Sequence, residues 1–245
     1  MSALLWPAAF AMGIVLGMFG AGGGMLTVPL LIYLAHVPIK AAVAMSLWVV
    51  ALVSLAALAQ QRAWHCLQPR LLLVFGLTGV AGSVTGSTLA PYLPERLQLG
   101  LFAALTLLVA WWLNKLELSN RVSVFRFIPA SITGFAIGAL TGIVGVGGGF
   151  LLVPALIYLG IGHFPTAVAH SLLLVCFNAL AGGITYLNTE SFSLPLTLIL
   201  AALAAVGSTV GGFLLKRLPS TQLQRGFNIM LVLLGSFMLW RAIAT

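Results

Sequence analysis

The stretch Gly17-Met-Phe-Gly-Ala-Gly-Gly-Gly-Met-Leu-Thr-Val-Pro29 has a close counterpart in Gly142-Ile-Val-Gly-Val-Gly-Gly-Gly-Phe-Leu-Leu-Val-Pro154. Each copy lies inside a long apolar run. Three consecutive glycines weaken a helix, because glycine is a poor helix former and readily adopts positive φ. The proline that follows removes a backbone donor. Each copy therefore predicts a helix that ends, a short irregular segment, and a new helix that begins near Met25 or Phe150.

The composition is that of a membrane protein. Of the 245 residues, 61% are hydrophobic and 6% are charged, whereas about a quarter of a soluble domain is charged. The apolar runs are continuous, which favours membrane helices over the alternating strands of a β-barrel. The formal charge of +8 comes from bases spread through short loops. This pattern orients a protein in the bilayer, so no nucleic-acid partner is predicted.

Two of the ten apolar segments are short. Segments 25–35 and 150–160 have eleven residues each, whereas a spanning helix needs about 20. Irregular backbone at membrane depth persists only where protein or a water-filled cavity satisfies its polar groups. Two such breaks at matching positions are typical of a transporter's binding site.

The matching positions belong to an internal repeat with a constant offset of 125 residues. Between positions 10 and 47, twenty of thirty-eight residues are identical to those at 135–172. The sequence thus predicts a first membrane repeat at 1–116, a polar linker at 117–126 and a second membrane repeat at 127–245. Each repeat would contain a glycine-broken helix or re-entrant hairpin plus three spanning helices, in an all-α polytopic fold.

The basic residues favour inverted over parallel repeats. If each broken element crossed the membrane once, the repeats would be parallel and the eleven bases would divide six against five. If it turned back at the glycines, the repeats would be inverted and the division would be eight against three, as the positive-inside rule expects. Both termini are then predicted to be periplasmic, with cytoplasmic loops at 60–70, 114–126 and 216–225.

The new helices offer a candidate anion site. A helix N-terminus carries unpaired N–H groups and a partial positive charge, and glycine lets a ligand touch the backbone. Two such ends meeting near the midplane would bind an anion without help from Arg or Lys. The predicted backbone contacts are Gly22, Gly23, Gly24, Gly147, Gly148 and Gly149.

Few polar side chains lie inside the apolar runs, where they are expensive and mark candidate sites. Ser46 and Ser171 are repeat partners, although serine often bonds its own helix backbone. His170 replaces Met45, and Asn178 follows it by eight residues on the same helical face. We predict that Ser46, Ser171, His170 and Asn178 complete the substrate site, with a structural role as the alternative for His170. Further candidates are Thr27, Gln60, Gln61, Thr185 and Tyr186.

The chain has no pattern typical of an enzyme. Its acids, Glu95, Glu117 and Glu190, fall in predicted loops. The first glycine stretch is not a nucleotide-binding P-loop, since no Lys precedes its Thr. Neither the two cysteines nor the histidines have metal-site spacing. No catalytic residue, metal or cofactor is predicted.

The doubled Gly-x-Gly-Gly-Gly-x-x-x-x-Pro motif, followed in each repeat by Ala-x-Ala-x-Ser, resembles the TauE/SafE sulfite-exporter-like family, also called the toluene-sulfonate uptake permease family. The resemblance covers essentially the whole chain. It implies a multi-pass bacterial inner-membrane permease for sulfite, sulfoacetate or other sulfur-containing anions.

The sequence therefore predicts a secondary transporter or facilitator whose partners are a small anionic substrate and membrane lipid. A homodimer is compatible with it. Two alternatives remain open: a cation or metal permease that uses helix C-termini and carbonyls, and a lipid-handling or assembly protein.

Overall fold

A computed structural model describes residues 4–20, 24–61, 67–115, 127–145, 148–159, 161, 164–187 and 193–244. Within these residues the chain is helical and contains no strand. A 3₁₀ turn at Ala90–Tyr92 extends the fourth helix. The α-helices are α1 (Leu5–Phe19), α2 (Gly24–Tyr33), α3 (Ile39–Gln61), α4 (Pro69–Leu89), α5 (Glu95–Lys115), α6 (Phe127–Val144), α7 (Gly149–Tyr158), α8 (Phe164–Tyr186), α9 (Leu194–Arg217) and α10 (Ser220–Ala244).

Both glycine stretches interrupt a helix, as predicted. Gly20 ends α1 in a left-handed conformation (φ 78°), and its N–H donates to the carbonyl of Leu16. Gly145 follows α6 with φ 75°, and Gly148 precedes α7 with φ 65°. L-residues with a side chain rarely adopt these values, so glycine is needed at these positions. The new helices begin at Gly24 and Gly149, one residue earlier than expected.

The short helix α2 folds back along α1. The hydroxyl of Thr27 lies 3.0 Å from the sulfur of Met12. Fifteen residues separate these two in the chain, and two helices continuing in one direction would hold them far apart. The contact therefore requires a helical hairpin. In the part of the chain that the structure describes, six helices are long and apolar enough to cross a membrane: α3, α4, α5, α8, α9 and α10.

The long helices have defined relative directions. Asn178 of α8 faces Gly79 of α4, and Thr185 donates a hydrogen bond to Ser87 further along both helices. α4 and α8 therefore run parallel.

The last helices of the two halves run in opposite directions. The Gln224 amide of α10 donates to the carbonyl of Leu113 of α5 (3.0 Å). Gly235, later in α10, faces Leu107, earlier in α5. α5 and α10 are therefore antiparallel. α3 and α8, the most buried of the six long helices, form the centre of the bundle.

Two further helix pairs make backbone contact through glycine. Gly13 and Gly17 of α1 face the backbone of Ala204 and Ser208 of α9. In the same way, α6 packs through Gly138 and Gly142 on α4. Small residues four apart allow this close approach. Each broken helix therefore packs against a long helix from the other half of the chain.

Alanine at these glycines should destabilise the fold. A Cβ added at Gly13 would lie 2.0 Å from the carbonyl oxygen of Ala204, and one at Gly138 would lie 2.0 Å from that of Gly79. Because backbone must move, we expect Gly13→Ala and Gly138→Ala each to cost about 3 kcal/mol or more. Thermal unfolding in detergent measures this loss.

The matched control is Gly100→Ala in α5, where an added Cβ meets nothing within 4 Å. Alanine favours a helix over glycine by about 1 kcal/mol, so this variant should be at least as stable as the wild type. Equal stability of all three variants would contradict the glycine-dependent packing.

Candidate functional site

The repeated serines each contact a glycine at the end of a broken helix in the opposite half. We call the two breaks, which begin at Gly20 and Gly145, the glycine turns. The Ser171 hydroxyl lies 3.2 Å from the carbonyl oxygen of Gly20 and 2.8 Å from that of Val168 in its own helix. The Ser46 hydroxyl likewise donates to the carbonyl of Gly145. Both serines are fully buried. Each therefore joins a central helix to the end of a broken helix, in addition to the intrahelical bond that serine often makes.

The two glycine turns lie at different depths in the bundle. Ser171 contacts the first turn, so it gives the position of that turn along α8. The second turn is contacted by Ser46, and Leu47 beside Ser46 faces Gly182 of α8. Gly182 therefore gives the position of the second turn along α8. Eleven residues of helix separate Ser171 from Gly182, which corresponds to about 16 Å. The two turns are therefore not directly opposed at one point.

The start of α7 has the features of an anion site. Gly148 is its N-cap, and as a glycine it makes no side-chain cap hydrogen bond. Gly148, Gly149 and Phe150 are buried. The first N–H groups of a helix have no intrahelical acceptor, so this end presents buried donors and a partial positive charge. Gly24 is the buried first residue of α2. The predicted contacts Gly22, Gly23 and Gly147 lie outside the described residues.

His170 links α8 to the start of α4. Its Nε2 accepts a hydrogen bond from the backbone N–H of Gln68 (2.9 Å), the residue just before α4. Since that nitrogen is an acceptor, Nδ1 carries the proton and donates to the carbonyl of Thr166 (2.8 Å). Both ring nitrogens are thus engaged in this conformation. The arrangement matches the structural role that the sequence left open.

Asn178 is a buried amide whose side-chain atoms lack partners among the described residues. It packs against Gly79, where an added Cβ would lie 2.8 Å from its Oδ1. The Ser83 hydroxyl donates to the backbone carbonyl of Asn178 (2.7 Å), not to its amide. An unpaired buried amide costs about 1–3 kcal/mol, which a ligand or a second conformation could recover. Asn178 contacts Gly79 of α4, and His170 contacts Gln68 just before α4.

Two functional candidates were not selected from the sequence. Ser83 and Ser87 of α4 are buried against α8. The Thr185 hydroxyl donates to Ser87, and the Tyr186 hydroxyl donates to the carbonyl of Gly142 (3.1 Å). With Asn178, these residues extend a polar line along the α4–α8 interface. Ser83 and Ser87 are four residues apart, and each follows a glycine of the packing motif. This pattern could have identified them from the sequence.

A family model described as sulfite exporter TauE/SafE matches residues 5–238. The chain belongs to the TauE/SafE family. No solved structure gives a significant match.

Curated relatives of this TauE/SafE protein are named as transporters. The probable membrane transporter protein YdhB of Bacillus subtilis is 30% identical over 83% of this chain and 84% of its own length. A probable membrane transporter protein of Xylella fastidiosa is 29% identical over 95% and 93%. The probable membrane transporter protein MJ0441 of Methanocaldococcus jannaschii is 26% identical over 96% and 94%. The protein is thus a multi-pass membrane protein of a transporter family.

The bond between His170 and α4 can be tested by His170→Met, which installs the residue of the first repeat. Loss of the acceptor for the Gln68 N–H should lower stability by about 1–3 kcal/mol. Amide hydrogen exchange at the start of α4 should become faster, and mass spectrometry can measure it.

The control is Phe177→Leu, which changes a half-exposed side chain on the outer surface of α8, the helix that also carries His170. If His170→Met and Phe177→Leu gave the same exchange rates at the start of α4, the proposed link would be absent.

Proposed function

We propose that this TauE/SafE protein is a secondary transporter or facilitator of small sulfur oxyanions, sulfite or organosulfonates, across the cell inner membrane. The observation that carries the proposal is the buried N-terminus of α7, whose N-cap Gly148 makes no side-chain cap hydrogen bond. A helix start of this kind favours an anion. The description of the TauE/SafE family as sulfite exporters agrees with this chemistry.

The proposed site binds the anionic head through backbone donors. Sulfite and sulfonate each present three oxygens around one sulfur, so several N–H groups can bind one head. We assign this contact to the backbone at 22–24 and at 147–149. Because the two turns lie about 16 Å apart along α8, each would bind its own head. Asn178 would add a side-chain donor through Nδ2, while Ser46, Ser171 and His170 would hold the surrounding helices in position.

We further propose that repeats 1–116 and 127–245, joined by the linker 117–126, are inverted. The parallel α4 and α8 and the antiparallel α5 and α10 support this topology. Four helix starts in the two halves are each separated by 125 residues: Gly24 and Gly149, Ile39 and Phe164, Pro69 and Leu194, and Glu95 and Ser220.

Alternating access would then involve groups of helices drawn from both halves. The backbone contacts of α1 with α9 and of α6 with α4 favour each pair as one rigid unit. A whole repeat rocking against the other would break both contacts. We propose instead that α1, α2 and α9 move against α4, α6 and α7, around the central helices α3 and α8.

The charge distribution supports an orientation with both termini in the periplasm. Arg70, Lys216, Arg217 and Arg225 occur near the ends of α4, α9 and α10 that share one side of the bundle. At the opposite side are Lys40 and Arg96, where the Lys40 ammonium donates to the carbonyl of Pro91 (3.0 Å). The positive-inside rule makes the more basic side cytoplasmic.

Asn178→Val tests the site by installing Val53, the equivalent residue of the first repeat. Removal of an unpaired amide should leave the empty protein as stable as the wild type or more stable. If the amide binds the substrate, uptake of labelled sulfite by proteoliposomes should fall at least tenfold, in line with loss of about 1.4 kcal/mol or more of binding or transition-state stabilisation.

Phe177→Leu should retain wild-type flux in the same assay. Undiminished flux in Asn178→Val would remove Asn178 from the site. Nickel or sodium uptake, or lipid movement without sulfite flux in the wild type, would instead favour one of the two alternatives and overturn the proposed function.

A further inference from the structure

A second polar site lies between the C-terminal halves of α3 and α9. A cavity of about 340 Å³ is lined there by Gln60, Ser208, Thr209, Gly212, Phe213 and Lys216. Ser208, Gly212 and Lys216 recur every four residues, so they share one face of α9. Since Gly212 has no side chain, the face is open between Ser208 and Lys216. Lys216 follows Ser208 by eight residues, so the two lie about 12 Å apart along the helix axis.

The polar groups at the inner end of this cavity are arranged for a hydrogen-bond acceptor. The Ser208 hydroxyl lies 3.1 Å from the Oε1 atom of Gln60 and is bonded also to the carbonyl of Ala205. The single Ser208 hydrogen is shared between these two oxygens, and Gln60 Oε1 is the more distant of the two acceptors. The Gln60 Nε2 atom lies 3.4 Å from the Ala205 carbonyl oxygen, which is a long contact. Nε2 carries two hydrogens, so a second one remains for a ligand. The inner end of the cavity therefore offers a donor.

The outer end is positively charged. The Lys216 ammonium has three hydrogen-bond donors. Next to it, the Arg217 guanidinium lies 4.1 Å from the centroid of the Phe213 ring, which holds a second cation at the mouth. A charged mouth, an open middle and an amide donor at the inner end suit a compact oxyanion attached to an organic group.

The equivalent location in the other half lacks these features. With the offset of 125 residues, Gln60 corresponds to Thr185, Gly212 to Ser87 and Lys216 to Pro91. There the Thr185 and Ser87 hydroxyls bond to each other. The open glycine position is thus occupied and the cation is missing. The glycine opening and the cation of the α3–α9 cavity therefore do not follow automatically from the repeat.

We propose that this α3–α9 cavity binds a sulfonate- or phosphate-type oxyanion, from a soluble solute or a lipid headgroup, through Lys216 and Gln60. The site is separate from the glycine turns, so the proposal goes beyond the proposed function and does not require that the bound anion be transported. Ser208 also faces Gly17 in α1, three residues before the first glycine turn. A soluble anion held here would therefore lie close to that turn.

The experiment measures thermal stability of the full chain in nanodiscs at constant ionic strength. Methanesulfonate is titrated in neutral phosphatidylcholine, and phosphatidylglycerol is varied in a second series. All variants carry Asn178→Val, so that binding at the proposed transport site is weakened equally in all of them. We expect stabilisation by at least one ligand, with an apparent affinity that Lys216→Gln and Gln60→Met each lower at least tenfold.

Lys40→Gln is the matched control, since Lys40 lies at the opposite end of the bundle and bonds to Pro91. It should keep the affinity of the parent. Stabilisation by methanesulfonate identifies a site for soluble anions, and stabilisation by phosphatidylglycerol alone identifies a headgroup site. If neither ligand stabilises the parent, or if Lys216→Gln and Gln60→Met both retain its affinity, the proposal is wrong. Sulfite flux in the wild type is read separately and reports only on the proposed function.

Discussion

Backbone contact between glycine-bearing helices is the constraint on which this bundle depends. α1 meets α9, and α6 meets α4, at distances where an added Cβ would overlap a carbonyl group. In lipid there is little hydrophobic gain from joining two apolar helices, so close packing has to supply much of the attraction. Because each contact joins a broken helix of one half to a long helix of the other, neither half can be regarded as an independent body.

The same contacts position the glycine turns. Once α1 lies along α9 and α6 lies along α4, the broken helices end next to the buried serines of α8 and α3. The serine bonds satisfy carbonyl groups at the ends of α1 and α6, which would otherwise be costly at membrane depth. The packing glycines and the turn glycines thus have different tasks. The former bring backbones together, and the latter supply the positive φ that reverses the chain.

The sequence predicted the helices better than it predicted the site. Apolar runs predicted the six long helices and glycine triplets predicted both breaks, because the helices and the breaks depend on local composition. The bond from Gln68 to His170 joins residues 102 positions apart, and no local pattern contains it. The unpaired amide of Asn178 depends on space that Gly79 leaves on another helix. Ser83 and Ser87 were hidden among packing glycines, because only the partner helix decides whether a serine faces protein or lipid.

The positions where the two halves differ are informative because four pairs of helix starts lie 125 residues apart, which makes the positions comparable. Val53 and Asn178 occupy equivalent positions, as do Met45 and His170, and Pro91 and Lys216. Apolar side chains are sufficient for packing, and the first half has them at both positions, Met45 and Val53. A polar group in the second half therefore incurs a desolvation cost that the fold does not demand. His170 offsets that cost with two backbone bonds, whereas the side-chain amide of Asn178 has no such compensation among the described residues. This difference, rather than burial or polarity alone, separates a histidine that holds helices together from an asparagine suited to binding a solute.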